Sequence, residues 1–394
     1  MQGYFTSNGR ENTPLDVYNV ACGEGPRRGQ TISDHKGELH PVKTERIPPE
    51  RGCFPAYRIA AGERLDVFMI DLPIPLPGME HQITAWLLRD GGTGWTGLVD
   101  PGPTSTVPGL VRTLRLLDVR SVDTLLATHV HLDHSGGTAA FLRDFPGCGV
   151  YAPPRGRPHL TQPEKLYEAS VATLGATVID AFGRPGIVDP HAFLDASPVR
   201  ELEILPTPGH ASHHDAFVYH ASAGSLLFPG EAAGVALTRV VADLWIPRET
   251  FGCLPNGEVP AGFRYQYPGT PPRFEYDIYR RSVELLRRRE YALMCYSHYG
   301  WTEEPASDLD RLLDQMELWK TVTAEESRAA SSYGNEDREI VERIALRLRD
   351  EDPLIAAVSL FDAGNRVKEA FFLRNSILGF LGYIRGTGES CGGR

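Results

Sequence analysis

Thr128-His129-Val130-His131-Leu132-Asp133-His134-Ser135-Gly136-Gly137 places three histidines and one aspartate within six residues. Residues two apart in an extended segment point the same way, so His129 and His131 can present two imidazoles to one ion. Asp133 and His134 follow where the chain turns toward a helix, and they can face a second ion beside the first. Imidazole and carboxylate ligands suit zinc, iron, manganese or cobalt, and the absence of thiolates argues against a purely structural zinc. Two adjacent cations bridging a water bring its ionisation toward neutral pH, which makes a hydrolytic nucleophile without a serine or cysteine. No Gly-x-Ser-x-Gly elbow suggests one either.

Three later segments each follow an apolar run: Pro206-Thr207-Pro208-Gly209-His210, Leu227-Phe228-Pro229-Gly230-Glu231 and Cys295-Tyr296-Ser297-His298-Tyr299-Gly300. Taken in order with the HxHxDH run, they resemble the motifs of the metallo-β-lactamase-fold hydrolase superfamily, the group of glyoxalase II, lactonases and ribonuclease Z. The resemblance covers roughly residues 65–305. It implies an α/β fold, an αββα sandwich, here with a helical C-terminal extension. It assigns His129, His131 and His210 to one metal and Asp133, His134 and His298 to the other. Glu231 stands where the family usually has an aspartate that bridges both ions, and it is expected to reach them despite its extra methylene.

A ligand at His134 is similar to the glyoxalase II and lactonase branches, whereas the secreted β-lactamases usually lack one there. The resemblance therefore implies a hydrolase that holds two divalent metal ions, zinc foremost, with iron or manganese as alternatives. The expected reaction is attack of a metal-bridged hydroxide on the carbonyl of a small-molecule thioester, lactone or ester. Asp133 serves as ligand and as proton acceptor when the tetrahedral species collapses. A diiron redox enzyme handling oxygen or a related small oxidant on the same fold is the second reading. A metal-retaining binding or regulatory protein is the third.

These ligands need strands to present them. Short apolar runs predict strands at Thr84–Arg89, Gly97–Asp100, Thr124–Thr128, Gly149–Ala152, Thr177–Asp180, Glu203–Pro206, Ala216–Tyr219, Ser225–Phe228 and Ala292–Tyr296. Leu110, Leu114 and Leu117 recur at helical spacing, as do Tyr276, Tyr279, Val283 and Leu286. Ser307 reads as an N-cap ahead of Leu309, Leu312, Leu313, Met316 and Trp319. The expected division is an irregular N-terminal extension over 1–60, a catalytic domain over 61–305 and a helical region over 306–394. The apolar stripes of that last region suit core packing or a homodimer; Gly230-Glu231-Ala232-Ala233-Gly234 resembles a subgroup of hydrolases of this fold with a helical C-terminus, in which such helices tend to cover the active-site mouth.

Asp100, ending a strand before Pro101, reads equally as a brace for the metal loop or as a turn former. His213 and His214 read as exposed loop residues, with donors that orient the ligands from outside as the alternative. The long Pro-rich and aromatic stretch between 239 and 273, with Trp245, Tyr265, Tyr267 and Arg273, reads equally as a pocket lining or a satellite core.

Composition removes other classes. The chain has 394 residues and a net charge of −11, so no large basic face for nucleic acid is expected. No apolar run reaches the ~18 residues of a membrane span. Six scattered cysteines without a CxxC, and an N-terminus without a basic cluster and apolar stretch, point to a reduced cytoplasmic setting.

Overall fold

The computed structural model describes residues 44–60, 64–251, 258–259, 263–331 and 337–387. Cys22, Cys253 and Cys391 lie outside them. The first sheet takes its strands in chain order: β1 (Thr44–Ile47), β2 (Ala56–Ala60), β3 (Leu65–Leu72), β4 (Ile83–Asp90), β5 (Thr96–Val99), β6 (Thr124–Leu126) and β7 (Gly149–Tyr151). Pairing is antiparallel up to β5 and parallel for β5–β6–β7. The second sheet is built from β8 (Leu202–Pro206), β9 (Asp215–Ala221) and β10 (Gly224–Phe228). After a separate two-stranded ribbon of β11 (Val235–Thr238) and β12 (Arg264–Tyr267), it is completed by β13 (Leu293–Cys295) and β14 (Trp301–Thr302), in the order β14-β13-β10-β9-β8.

The first sheet buries both faces. Val67, Met69, Trp86 and Leu88 point into the core shared with Phe217, Tyr219, Leu226 and Phe228 of the second sheet. Their neighbours Phe68, Ile70, Ala85 and Leu87 point the other way, against Val107, Leu110, Val111 and Leu114 of the helix Val107–Leu116. This period-two division makes a helix–sheet–sheet–helix arrangement. It also explains why residues 67–70 of β3 form a continuous apolar run rather than an alternating one. Helices Tyr276–Arg287, Pro305–Ser331, Asp337–Glu351 and Ala363–Thr387 supply the other outer layer, with Tyr279, Val283, Trp319, Ile344 and Phe380 in the shared core.

Several expectations need correction. Residues 44–60 are not irregular, because β1 and β2 extend the first sheet. Thr177–Asp180 is not a strand; it lies in the helix Ala176–Phe182, which buries Ile179 and Phe182 three residues apart and is bounded by Gly175 and Gly183 at positive φ. Ser307 is not an N-cap, since its helix already begins at Pro305. Among the described residues, no helix is long and apolar enough to cross a membrane.

Candidate metal centre

Each ligand-bearing segment leaves the C-terminal end of a strand. Thr128–His134 follows β6, His210 follows β8, Glu231 follows β10 and His298 follows β13. His131 is still extended, with φ −63° and ψ 151°, and immediately precedes the one-turn helix Leu132–Ser135 that carries Asp133 and His134. The change from extended to helical backbone lets six residues serve two positions, as their spacing predicts.

Two ligand groups result, one of His129, His131, His210 and Glu231, the other of Asp133, His134 and His298. Within each group the candidate ligand atoms lie within 4.8 Å of one another. His131 Nδ1 is 3.1 Å from His129 Nε2 and 3.0 Å from His210 Nε2. In the second group His134 Nε2 is 3.1 Å from His298 Nε2 and 3.5 Å from Asp133 Oδ2. Glu231 stands between them. Its Oε2 is 2.9 Å from His210 Nε2, 3.3 Å from His129 Nε2 and 3.4 Å from His134 Nε2, and its Oε1 is 3.9 Å from His298 Nε2.

A ring of partners aims the imidazoles. Thr128 Oγ1 donates to Asp100 Oδ2 at 2.8 Å, so it accepts from His129 Nδ1 at 3.0 Å. His134 Nδ1 donates to Asp100 Oδ2 at 3.2 Å, His210 Nδ1 to the Gly269 carbonyl at 2.7 Å, and His298 Nδ1 to the Gln82 carbonyl at 2.8 Å. In each of these four rings the Nδ1 proton is committed outward, which leaves the Nε2 lone pair facing the cluster. Four converging lone pairs, His131 Nδ1 and two carboxylates are a donor set fit for divalent cations.

Asp100 is buried and adopts a left-handed φ of 50°, and its Oδ1 also accepts from Thr128 N at 2.8 Å. This is the bracing role, not merely a turn. His214 differs from its expectation: it is 1% exposed, shares a hydrogen bond of 2.9 Å with Thr207 Oγ1 and accepts from Glu231 N at 3.1 Å. Tyr279 donates to the Glu231 carbonyl at 2.8 Å, so both backbone groups of Glu231 are held. His214 takes the orienting alternative, whereas Tyr279 has no expected role here. Their motif-adjacent position was the only available signal for His214, and none existed for Tyr279.

Burial opposes charge throughout. It holds His129 and His131 well below the usual histidine range and His298 below it, which favours neutral rings able to ligate. Burial also disfavours an ionised Glu231, but His210, His129 and His134 around it outweigh this and hold its carboxyl well below the usual range. For His134 the nearby Asp133 and Asp100 carboxylates overcome burial and raise it well above the ordinary value.

The centre opens into a cavity of about 460 Å³ whose floor includes His131, Asp133, His210 and Glu231. The 239–273 stretch divides between the two readings offered for it. Trp245 and Tyr265 are core, Arg273 lines the cavity, and Tyr267 belongs to both.

A family model described as the metallo-beta-lactamase superfamily matches residues 78–298. The chain is 24% identical over 227 residues to a hydroxyacylglutathione hydrolase of Hamiltonella defensa, covering 55% of this chain and 78% of that one. It is 28% identical over 159 residues to a protein of the same name from Albidiferax ferrireducens, covering 40% of this chain and only half of the relative's length. In structure it is similar to a metallo-beta-lactamase family protein of Thermus thermophilus, with a TM-score of 0.51, 19% identity and coverage of 82% of this chain and 94% of that one. The fold agrees with that likeness, and the family model spans more than half of the chain including every ligand-bearing segment, so the chain belongs to the metallo-beta-lactamase superfamily.

Proposed function

We propose that the chain is a binuclear metal-dependent hydrolase of an ester-like carbonyl, in a thioester, lactone or ester. His129, His131 and His210 would hold one divalent cation, and Asp133, His134 and His298 the other. Glu231 reaches toward both. The observation that carries this reading is the position of the Glu231 carboxylate, within 4 Å of a nitrogen from every Nε2-presenting histidine of both groups. The hydroxyacylglutathione hydrolase name of the relatives supports a thioester within that class.

Two cations bound there would supply a water ionised near neutral pH and a Lewis acid for the carbonyl oxygen. The chain's own residues do the rest. The outward Nδ1 bonds fix the imidazoles in advance, so little reorganisation is needed on binding. Asp133 and His131 are half-buried where the other five are buried; the Asp133 side chain is 20% exposed, and it lines the cavity. Its carboxylate is placed to take a proton from the attacking water and to release it to the leaving group. The surrounding apolar wall limits competing water.

Zinc is the proposed metal because histidine nitrogen and carboxylate oxygen suit it. Elemental analysis of protein purified without chelator is expected to approach two ions per chain, with hydrolysis of a thioester and lactone panel lost on chelation and regained with zinc. Active protein with a metal content near zero would refute the reading. Iron content with oxygen uptake and no hydrolysis would replace it with the redox alternative.

A further inference from the structure

The cavity over the metal centre has a chemistry of its own. Leu166, Leu174, Phe182, Val235, Pro271 and Phe372 form its apolar wall. They come from five places: the helix Glu164–Leu174, the helix Ala176–Phe182, β11, the segment after β12, and the C-terminal helix Ala363–Thr387. The helix Glu164–Leu174 has no buried residue, and Leu166 and Leu174 stay half-buried. Beside them the exposed Ala169 and Ala172 also face the cavity, so the smallest side chains of this helix stand where larger ones would fill the space. Apolar surface kept open to water is unfavourable, and a ligand that covers it recovers that free energy.

Ser170, Thr173, Thr270, Asn375 and Ser376 set neutral polar groups into this wall. Arg273 is the one basic side chain other than histidine on the lining, it is exposed, and it has no ion pair with any described residue. The acidic side chains of the lining, Asp133 and Glu231, belong to the floor. A ligand reaching from the centre toward solvent thus meets cation-binding groups, then a mainly apolar wall with neutral polar groups set in it, and one positive charge on the lining.

We propose that the substrate is an anionic amphiphile: a thioester or ester whose apolar acyl or ring portion fills this cavity and whose remaining part carries an anionic group met by Arg273. This names the substrate class of the proposed hydrolase and rests on that reading for the reaction, but not for binding. The single cation does not suit a polyanion, and the mainly apolar wall favours an apolar portion over a sugar.

Binding is tested on the full chain with non-hydrolysable probes. Alkyl thioethers of 2-mercaptoethanesulfonate, ethyl through octyl, are compared by calorimetry with the matching thioethers of thiocholine, whose head is a cation. Affinity is expected to rise about fourfold per methylene, the increment of burying one such group. The sulfonate series is expected to be favoured roughly fivefold over the cationic one, as for an exposed ion pair. Arg273→Gln is expected to remove the preference for the anion. Ala169→Phe and, independently, Ala172→Trp are expected to weaken the octyl probe about tenfold or more, because they occupy its space. Both sites are exposed helix positions, and thermal unfolding checks that each variant is folded.

Affinity independent of chain length in the native protein, or unchanged by both filling variants, overturns the apolar assignment. An equal preference for the two heads overturns the role of Arg273. The corresponding acyl thioesters are then offered as substrates. Chain-length-dependent binding without turnover would refute the hydrolase reading while supporting the cavity; turnover without such binding would do the reverse.

Discussion

Asp100→Asn separates the geometry of the centre from its charge. Every group that Asp100 faces is a donor: Thr128 N and Thr128 Oγ1 at 2.8 Å, His134 Nδ1 at 3.2 Å and Ser297 Oγ at 3.5 Å. Asparagine has the same shape and tolerates the left-handed φ of 50°, so the backbone has no reason to move. Its amide, however, offers one acceptor and two donors. If the oxygen remains toward Thr128 N, the NH2 group confronts His134 Nδ1–H. His134 must then shift its proton to Nε2, which removes the lone pair aimed at the cluster, or leave a buried donor unpaired at about 1–3 kcal/mol. Loss of such a partner typically weakens metal binding about 10- to 100-fold, or roughly 1.4–2.7 kcal/mol. Competition with a chromophoric chelator is expected to show this loss at one of two sites, and nitrogen-resolved NMR is expected to show the changed His134 tautomer. Two equivalents of zinc bound with native affinity, with His134 still protonated at Nδ1, would refute the reasoning.

Asp133→Asn is expected to lower turnover by about 100-fold or more, with a much smaller change in KM; a variant with full metal and full rate would remove both of its assigned roles. Glu231→Gln keeps the length and removes the charge among His210, His129 and His134, and is expected to release at least one ion during dialysis; retention of both ions would show that the carboxylate does not hold them. Gly209→Ala tests the strand-to-loop turn: a Cβ there would sit 2.2 Å from Tyr279 Cα at a backbone φ of 132°, and urea unfolding is expected to show a loss of about 3 kcal/mol or more. An unchanged midpoint would mean that helix Tyr276–Arg287 can move aside.

Much of the centre was legible because its signals are local. His129, His131, Asp133 and His134 need only a strand end and one helical turn to divide between two groups, and short-range backbone geometry supplies both. Glu231, His210 and His298 became legible through the order of their motifs. Their meeting point could not be derived from spacing, because His298 lies 169 positions after His129. The short apolar run of β4 and the stripe Tyr276, Tyr279, Val283 and Leu286 were legible for the same local reason.

Tertiary structure decided what depends on distant partners. Thr177–Asp180 carries three β-branched residues in a row, yet packing of Ile179 and Phe182 between two glycine boundaries made it helical. Burial of His214 follows from Thr207 on one side and the Glu231 amide on the other. The Gly269 and Gln82 carbonyls that aim His210 and His298 have no sequence signature, since every residue carries a carbonyl. The cavity is the extreme case. Its wall joins a helix near residue 170, a loop near 270 and a helix near 375. Residue types alone thus determined that this chain can gather metal ligands at strand ends, whereas only the packing of distant elements decided which backbone groups aim those ligands and what shape of space lies above them.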